Sequence, residues 1–141
     1  MSYWGPILLA ENALLAEDDA ERRAFVAEAE ALLAGKVLAH NHYLTRRALV
    51  ELGRILADPD MIEDQCTKLA TFYQIEARPL RETMPLADFI VRRGRVLAAI
   101  LRGNPPPEMI TEAQALVHWS ARTGAVRLGA GLDVALNRPS T

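Results

Sequence analysis

Alanine and leucine account for 43 of the 141 residues, and they recur at helical spacing from Ile7 to Leu136. The i, i+4, i+7, i+8 pattern of a helix with one apolar face is formed, for example, by Phe25, Ala29, Leu32 and Leu33. Strict alternation of apolar and polar residues, which is typical of a half-buried strand, is almost absent. The sequence therefore predicts an all-α fold, a single-domain helical bundle or orthogonal array of about five to seven helices.

Proline, aspartate and glycine mark the expected ends of these helices. An aspartate can accept from the free N–H groups of a first turn, a proline there needs no partner, and glycine favours the turn after a helix. Helix starts are therefore predicted at Pro6, Asp18–Asp19, Asp58–Pro59, Pro85 and Pro107. Helix ends are predicted at Gly35, Gly103 and Gly124. Whether residues 20–57 form one helix or two stays open, and a weaker helix is expected over 125–136.

The length fits one domain, which we expect to cover residues 1–137, with a flexible tail at 138–141. No apolar run approaches the length of a membrane span, so no membrane association is expected. The apolar stretch from Tyr3 to Leu15 contains no positive charge, which argues against a signal peptide. A single cysteine agrees with a reducing compartment. The sequence therefore predicts a cytoplasmic protein.

The net charge of −2 conceals an uneven distribution along the chain. Residues 1–70 carry 12 acidic and 7 basic side chains, whereas residues 71–141 carry 6 acidic and 9 basic ones. The acidic and basic ends could pair between subunits or within one chain, or they could be ordinary solvated helix faces.

The histidines and the cysteine are the first candidates for a chemical site. His40 and His42 are two residues apart, so on a helix they point about 200° apart and cannot hold one metal ion. Cys66 shares an apolar stripe with Ile62 and Leu69, which predicts a buried, unreactive thiol. We expect no metal and no cofactor. With no phosphate loop and no zinc or nucleophile motif present, the sequence favours a non-enzymatic protein but leaves an enzyme open.

A DNA-binding helix-turn-helix is one alternative, over residues 67–84. The apolar residues of this stretch have the spacing of such a motif, and Arg78 and Arg81 could contact DNA. Gln74 stands where glycine usually allows the turn, and Pro79 would interrupt the recognition helix. The acidic net charge also argues against a strong attraction to DNA.

A polar pocket between helices is a second alternative, for an enzyme or a small-ligand binder. His42 and Arg46 are four residues apart and so share a helix face, and Tyr43 lies beside them. Further arginines could bind an anion or an acidic partner, although ordinary solvated helix faces are the favoured explanation. These arginines are Arg46, Arg47 and Arg54 on one predicted helix, and Arg92, Arg93, Arg95 and Arg102 on a later one. Arg47 and Arg54 are seven residues apart and so share a helix face, as do Arg95 and Arg102.

Taken together, these exclusions favour a small cytosolic interaction or regulatory protein that acts through helix-face contacts. Trp4 precedes a leucine-rich first helix, whose apolar face could extend beyond what one bundle covers. The sequence therefore predicts a protein partner or self-association as a homodimer.

Overall fold

The computed structural model describes residues 5–35, 39–74, 85–103 and 105–123, which form six α-helices and no strand. The helices are α1 (Gly5–Leu15), α2 (Asp19–Leu33), α3 (Ala39–Ile55), α4 (Pro59–Gln74), α5 (Pro85–Arg102) and α6 (Pro107–Thr123). The all-α prediction is confirmed. The expected helix over 125–136 and the expected tail lie outside the described residues.

Residues 20–57 contain two helices, which answers the question that the sequence left open. Asp18 precedes α2 and accepts a hydrogen bond from the backbone N–H of Ala20 at 2.7 Å, as expected of an N-cap. The same helix ends at Leu33, and the backbone N–H of Gly35 donates to the carbonyl of Leu32 at 3.1 Å. The predicted cap and the predicted end of this helix are therefore confirmed.

The turn between α3 and α4 is closed by hydrogen bonds from both sides. The Asp58 side chain accepts from the backbone N–H of Met61 at 3.1 Å, so the predicted N-cap of α4 is confirmed. The Asp58 backbone N–H donates to the Gly53 carbonyl at 2.9 Å, and that of Ala57 donates to Arg54 at 3.1 Å. These two bonds form a Schellman ending of α3 in which Ala57, with φ of 50°, takes the left-handed position usually given to glycine.

Helix α3 contributes to two separate hydrophobic cores. Its residues Tyr43 and Val50 belong to a core built mainly from α4, α5 and α6. Its residues Leu49 and Leu52 belong to a second core shared with α1 and α2. Because α3 packs against both cores, the space along α3 between α1 and α5 lies at the boundary between them. We call this boundary the seam.

The packing of α5 against α4 depends on Gly94. A Cβ atom at this position would lie 2.3 Å from the Sγ atom of Cys66, far inside van der Waals contact. Cys66 itself is fully buried, so the sulfur has little room to move. The preceding residue, Arg93, is also buried.

No described helix combines the length and the apolar composition that crossing a membrane requires.

Candidate functional site

The structure places the three predicted pocket residues on α3 but in different surroundings. His42 stacks on Phe72, with ring centroids 4.2 Å apart and an interplanar angle of 21°. Burial lowers the pKa of His42, and the nearby charge of Arg46 lowers it further, which favours the neutral imidazole. Tyr43 is buried, and its hydroxyl has no hydrogen-bond partner among the described residues.

Arg46 is enclosed by partners from two other helices. Its Nη1 atom donates to Glu30 Oε1 of α2 and, at 2.8 Å, to Gln65 Oε1 of α4. Gln65 Nε2 in turn donates to Glu30 Oε1 at 2.6 Å, so the three side chains close a triangle. We call these three residues the Arg46 network.

The charges of the Arg46 network are balanced within the protein. Burial alone would raise the pKa of Glu30, but hydrogen bonds from Gln65 and Arg46 and the charges of Arg46 and Lys68 outweigh it and lower that pKa. Lys68 lies 3.5 Å from Glu30 Oε2 and 2.8 Å from Asp64 Oδ2. The predicted site residue Arg46 therefore joins α2, α3 and α4, and its binding of an external ligand stays a prediction.

A cavity of about 450 Å³ lies at the seam between α1, α3 and α5. Its lining residues, five apolar and five charged, are Ile7, Glu11, Leu14, Leu44, Arg47, Ala48, Glu51, Arg54, Ile90 and Arg93. We call it the arginine cavity. None of His42, Tyr43 and Arg46 lines it.

Arg93 is the most deeply buried charge in the lining of the arginine cavity. Its side chain is 5% exposed, and its one ion pair with a described residue joins Nη2 to Glu51 Oε2 at 3.5 Å, a long distance for a charged hydrogen bond. Its Nε atom is buried and has no hydrogen-bond partner among the described residues. Burial lowers the pKa of Arg93, Glu51 raises it, and the charges of Arg54 and Arg47 lower it again.

Glu51 is shared between two arginines and is held more closely by the other one. Its Oε1 atom accepts from Arg54 Nε at 2.7 Å and also pairs with Arg54 Nη2. Burial would raise the pKa of Glu51, but the hydrogen bond from Arg54 and the charges of Arg93 and Arg54 outweigh that effect and lower it. Glu51 therefore stays ionised while it only partly satisfies Arg93.

The arginine cavity contains one more cation than it has carboxylates. Arg47, Arg54 and Arg93 face Glu11 and Glu51, which leaves a formal charge of +1. Arg47 forms no ion pair with a described carboxylate. A concave site with excess positive charge and an under-paired buried guanidinium is suited to binding an anion.

The remaining arginines of the two predicted basic helices differ in their pairing. Arg92 joins α5 to α6 through Glu112 at 2.7 Å, and Arg102 joins α5 to α4 through Asp60 and Glu63. Arg95 is exposed.

The spacing of seven between Arg47 and Arg54 was the sequence signal for the arginine cavity, whereas nothing in the sequence distinguished Arg93 from Arg92 and Arg95.

The other sites considered from the sequence are the helix-turn-helix, the cysteine and a metal site. Gln74, at the expected turn of the helix-turn-helix, is the last residue of α4, whereas Arg78 and Arg81 lie outside the described residues, so DNA binding stays a prediction. Burial raises the pKa of Cys66 to about 12, which agrees with the predicted unreactive thiol. Within the described ranges, no group of three His, Cys, Asp or Glu side chains could hold a metal ion.

Comparisons with protein-family models, with curated proteins and with solved structures found no match for this chain.

Proposed function

We propose that this protein binds a small anionic ligand in the arginine cavity. The supporting observation is Arg93, a buried arginine that lines a cavity large enough for a small molecule and has one long ion pair and an unpaired, buried Nε atom. The proposal keeps the small-ligand alternative suggested by the sequence but moves its location from His42, Tyr43 and Arg46 to the other side of α3.

The energetic argument rests on what an unpaired buried cation costs. A guanidinium removed from water loses hydration that internal hydrogen bonds must replace, and a donor left unsatisfied costs about 1–3 kcal/mol. An anion in the cavity could accept from the guanidinium in the bidentate geometry that arginine favours. Binding would then recover free energy that the unliganded fold lacks.

The test is a thermal-shift and calorimetric screen of anions against the full chain. An anion at ten times its Kd should stabilise the folded state by about 1.4 kcal/mol, since it binds that state alone. For a chain of this size this corresponds to a rise in Tm of roughly 3–5 °C. The probes are acetate, hexanoate, inorganic phosphate and citrate.

Two variants of α5 separate site binding from general charge effects. Arg93→Gln should abolish the stabilisation by anions, whereas Arg95→Gln removes the same charge from an exposed position two residues away and should preserve it. If no probe raises the Tm, or if both variants lose the response equally, the arginine cavity is not an anion site.

Self-association is a second candidate function, in line with the helix-face interaction role that the sequence suggested. Leu8 is 55% exposed and Leu15 is 81% exposed. They are seven residues apart on α1 and therefore share one face of that helix. Exposed leucines on one helix face are a common element of a homodimer interface, in which both subunits use the same surface, and here Glu11 and Asn12 lie between them.

Sedimentation at micromolar concentration tests the homodimer. The wild-type chain should sediment above its 15.6 kDa monomer mass, and the double variant Leu8→Gln, Leu15→Gln should return to that mass. A wild-type chain that sediments as a monomer at every concentration would exclude this role for α1.

A further inference from the structure

We infer that the ligand of the arginine cavity is a monocarboxylate with an apolar chain, such as a medium-chain fatty acid anion. This inference rests on the proposed anion-binding function and specifies the ligand class for the same site. It follows from the charge, the apolar lining and the size of the cavity together.

The charge of the site selects a monoanion. Three arginines and two glutamates leave one positive charge in excess, which a single carboxylate neutralises. A dianion or trianion would bring uncompensated negative charge beside Glu51, which is ionised and half-buried. Desolvating such an excess charge is costly, so phosphate and citrate are expected to bind weakly.

The apolar part of the lining selects a ligand with a hydrocarbon body. Half of the lining residues are apolar, and they come from all three helices around the cavity. On α3 the apolar lining residues Leu44 and Ala48 lie on either side of Arg47, and Glu51 and Arg54 follow toward the C-terminal end of the helix. Leu44 and Glu51 are seven residues, or about 10 Å, apart along the helix axis. An acetate ion would leave Leu44 and Ala48 uncovered, whereas an alkyl chain could cover them.

The volume of the cavity agrees with a ligand larger than the carboxylate group alone. About 450 Å³ falls in the usual range of small-molecule sites, roughly 300–1,000 Å³. Each methylene group transferred from water into an apolar site contributes about 0.8 kcal/mol, which corresponds to a fourfold gain in affinity. Chain length is therefore the variable to which affinity should respond most steeply.

The experiment measures the Kd of acetate, butyrate, hexanoate and octanoate for the full chain by calorimetry, with inorganic phosphate and hexan-1-ol alongside. We expect the affinity to rise about fourfold per methylene until the cavity is full. Hexan-1-ol lacks the charge that Arg93 would pair with and should bind at least tenfold more weakly than hexanoate.

The outcomes separate the inference from the function on which it rests. If acetate, phosphate and octanoate bind with similar affinity, the site recognises an anion but has no apolar subsite, and the inference is wrong while the proposed function stands. If hexan-1-ol binds as tightly as hexanoate, the charge plays no part and the inference is wrong as well. If no anion binds, both fail.

A cavity-filling variant adds a second test of the apolar subsite. Ala48→Met places a longer side chain in the lining without changing any charge. It should weaken the binding of octanoate at least tenfold and leave the Kd of acetate unchanged. Ala31→Met on α2, which adds the same side chain at an exposed position outside the cavity, is the control and should leave the whole series unchanged. Equal losses of affinity for acetate and octanoate in Ala48→Met would contradict a contact between the alkyl chain and Ala48.

Discussion

Arg46 and Arg93 are both buried arginines in the interior of the bundle, yet they differ in how closely the fold pairs them. Arg46 shares Glu30 and Gln65 in a closed triangle of hydrogen bonds between α2, α3 and α4. Arg93, which lines a cavity, has a single described ion pair at 3.5 Å and an unpaired buried nitrogen. The comparison teaches that burial of a charge does not by itself mark a site.

The two arginines differ in how closely a carboxylate of the protein pairs with each guanidinium group. Glu30 is 26% exposed and directs its carboxylate to Arg46 and Lys68, so the fold supplies the anion that the buried cation needs. Glu51 directs its shorter contacts to Arg54, which leaves Arg93 dependent on a weak contact. Arg46 is therefore paired within the fold, whereas we propose that an external anion completes the pairing of Arg93.

The largest expected effect is on stability, when the two carboxylates are neutralised in turn. Glu30→Gln should lower the free energy of unfolding by about 2 kcal/mol, because Arg46 loses its charged acceptor. Glu51→Gln should cost less, about 1 kcal/mol, because its shorter contacts are with Arg54, which lies near the surface, and its contact with the buried Arg93 is already long at 3.5 Å. Urea unfolding of both variants beside the wild type measures the difference. A greater loss for Glu51→Gln would reverse the assignment of structural and functional arginines.

The next largest effect is on ligand affinity, which we expect Glu51→Gln to increase even though the same substitution lowers stability. Glu51→Gln should tighten hexanoate binding by about tenfold, or 1.4 kcal/mol, because it removes a carboxylate that competes with the ligand for Arg93. Glu30→Gln should leave the Kd of hexanoate within twofold of the wild-type value, since Glu30 lies outside the arginine cavity. Calorimetric titration of both variants provides the comparison. Weaker binding by Glu51→Gln would show that Glu51 orients the ligand instead of competing with it.

The smallest expected effect is on how the free energy of unfolding changes with pH under acidic conditions. Glu30 and Glu51 both have pKa values lowered from the ordinary value of 4.5 in the folded protein, so the unfolded chain binds protons more readily. The stability that these carboxylates contribute is complete above about pH 4.5 and is lost as the pH falls through their folded-state pKa values. Each Glu→Gln variant should therefore show a shallower loss of stability below pH 4.5 than the wild type in unfolding curves. Parallel curves for all three proteins would contradict the ionised state of both groups.

The fold was largely predictable because its signals are local. The first turns of α2 and α4 begin where Asp18 and Asp58–Pro59 occur, and α5 and α6 begin at Pro85 and Pro107, as the sequence predicted. Each of these signals acts within one helical turn of its own residue. Whether residues 20–57 would divide into two helices was less clear, because Gly35 can also be accommodated within a helix at modest cost.

The candidate site was predictable only in part because pairing between helices is not local. The partners Arg46 and Glu30 are 16 residues apart and Glu51 and Arg93 are 42 apart, so neither pairing follows from spacing along a helix. Spacing did indicate that Arg47 and Arg54 share a face, and both line the cavity. It also brought His42 and Arg46 together, but it could not show that Glu30 and Gln65 would enclose Arg46.

The most direct test of the account is a crystal structure of the full chain grown with 6-bromohexanoate, in which anomalous scattering from bromine locates the ligand. We predict one bromine position in the arginine cavity near Leu44 and Ala48, with the carboxylate oxygens within hydrogen-bond distance of the Arg93 guanidinium. A bromine site beside Arg46 or Lys68 with the arginine cavity empty, at a ligand concentration that raises the Tm, would contradict the assignment of Arg93 as the anion-binding arginine.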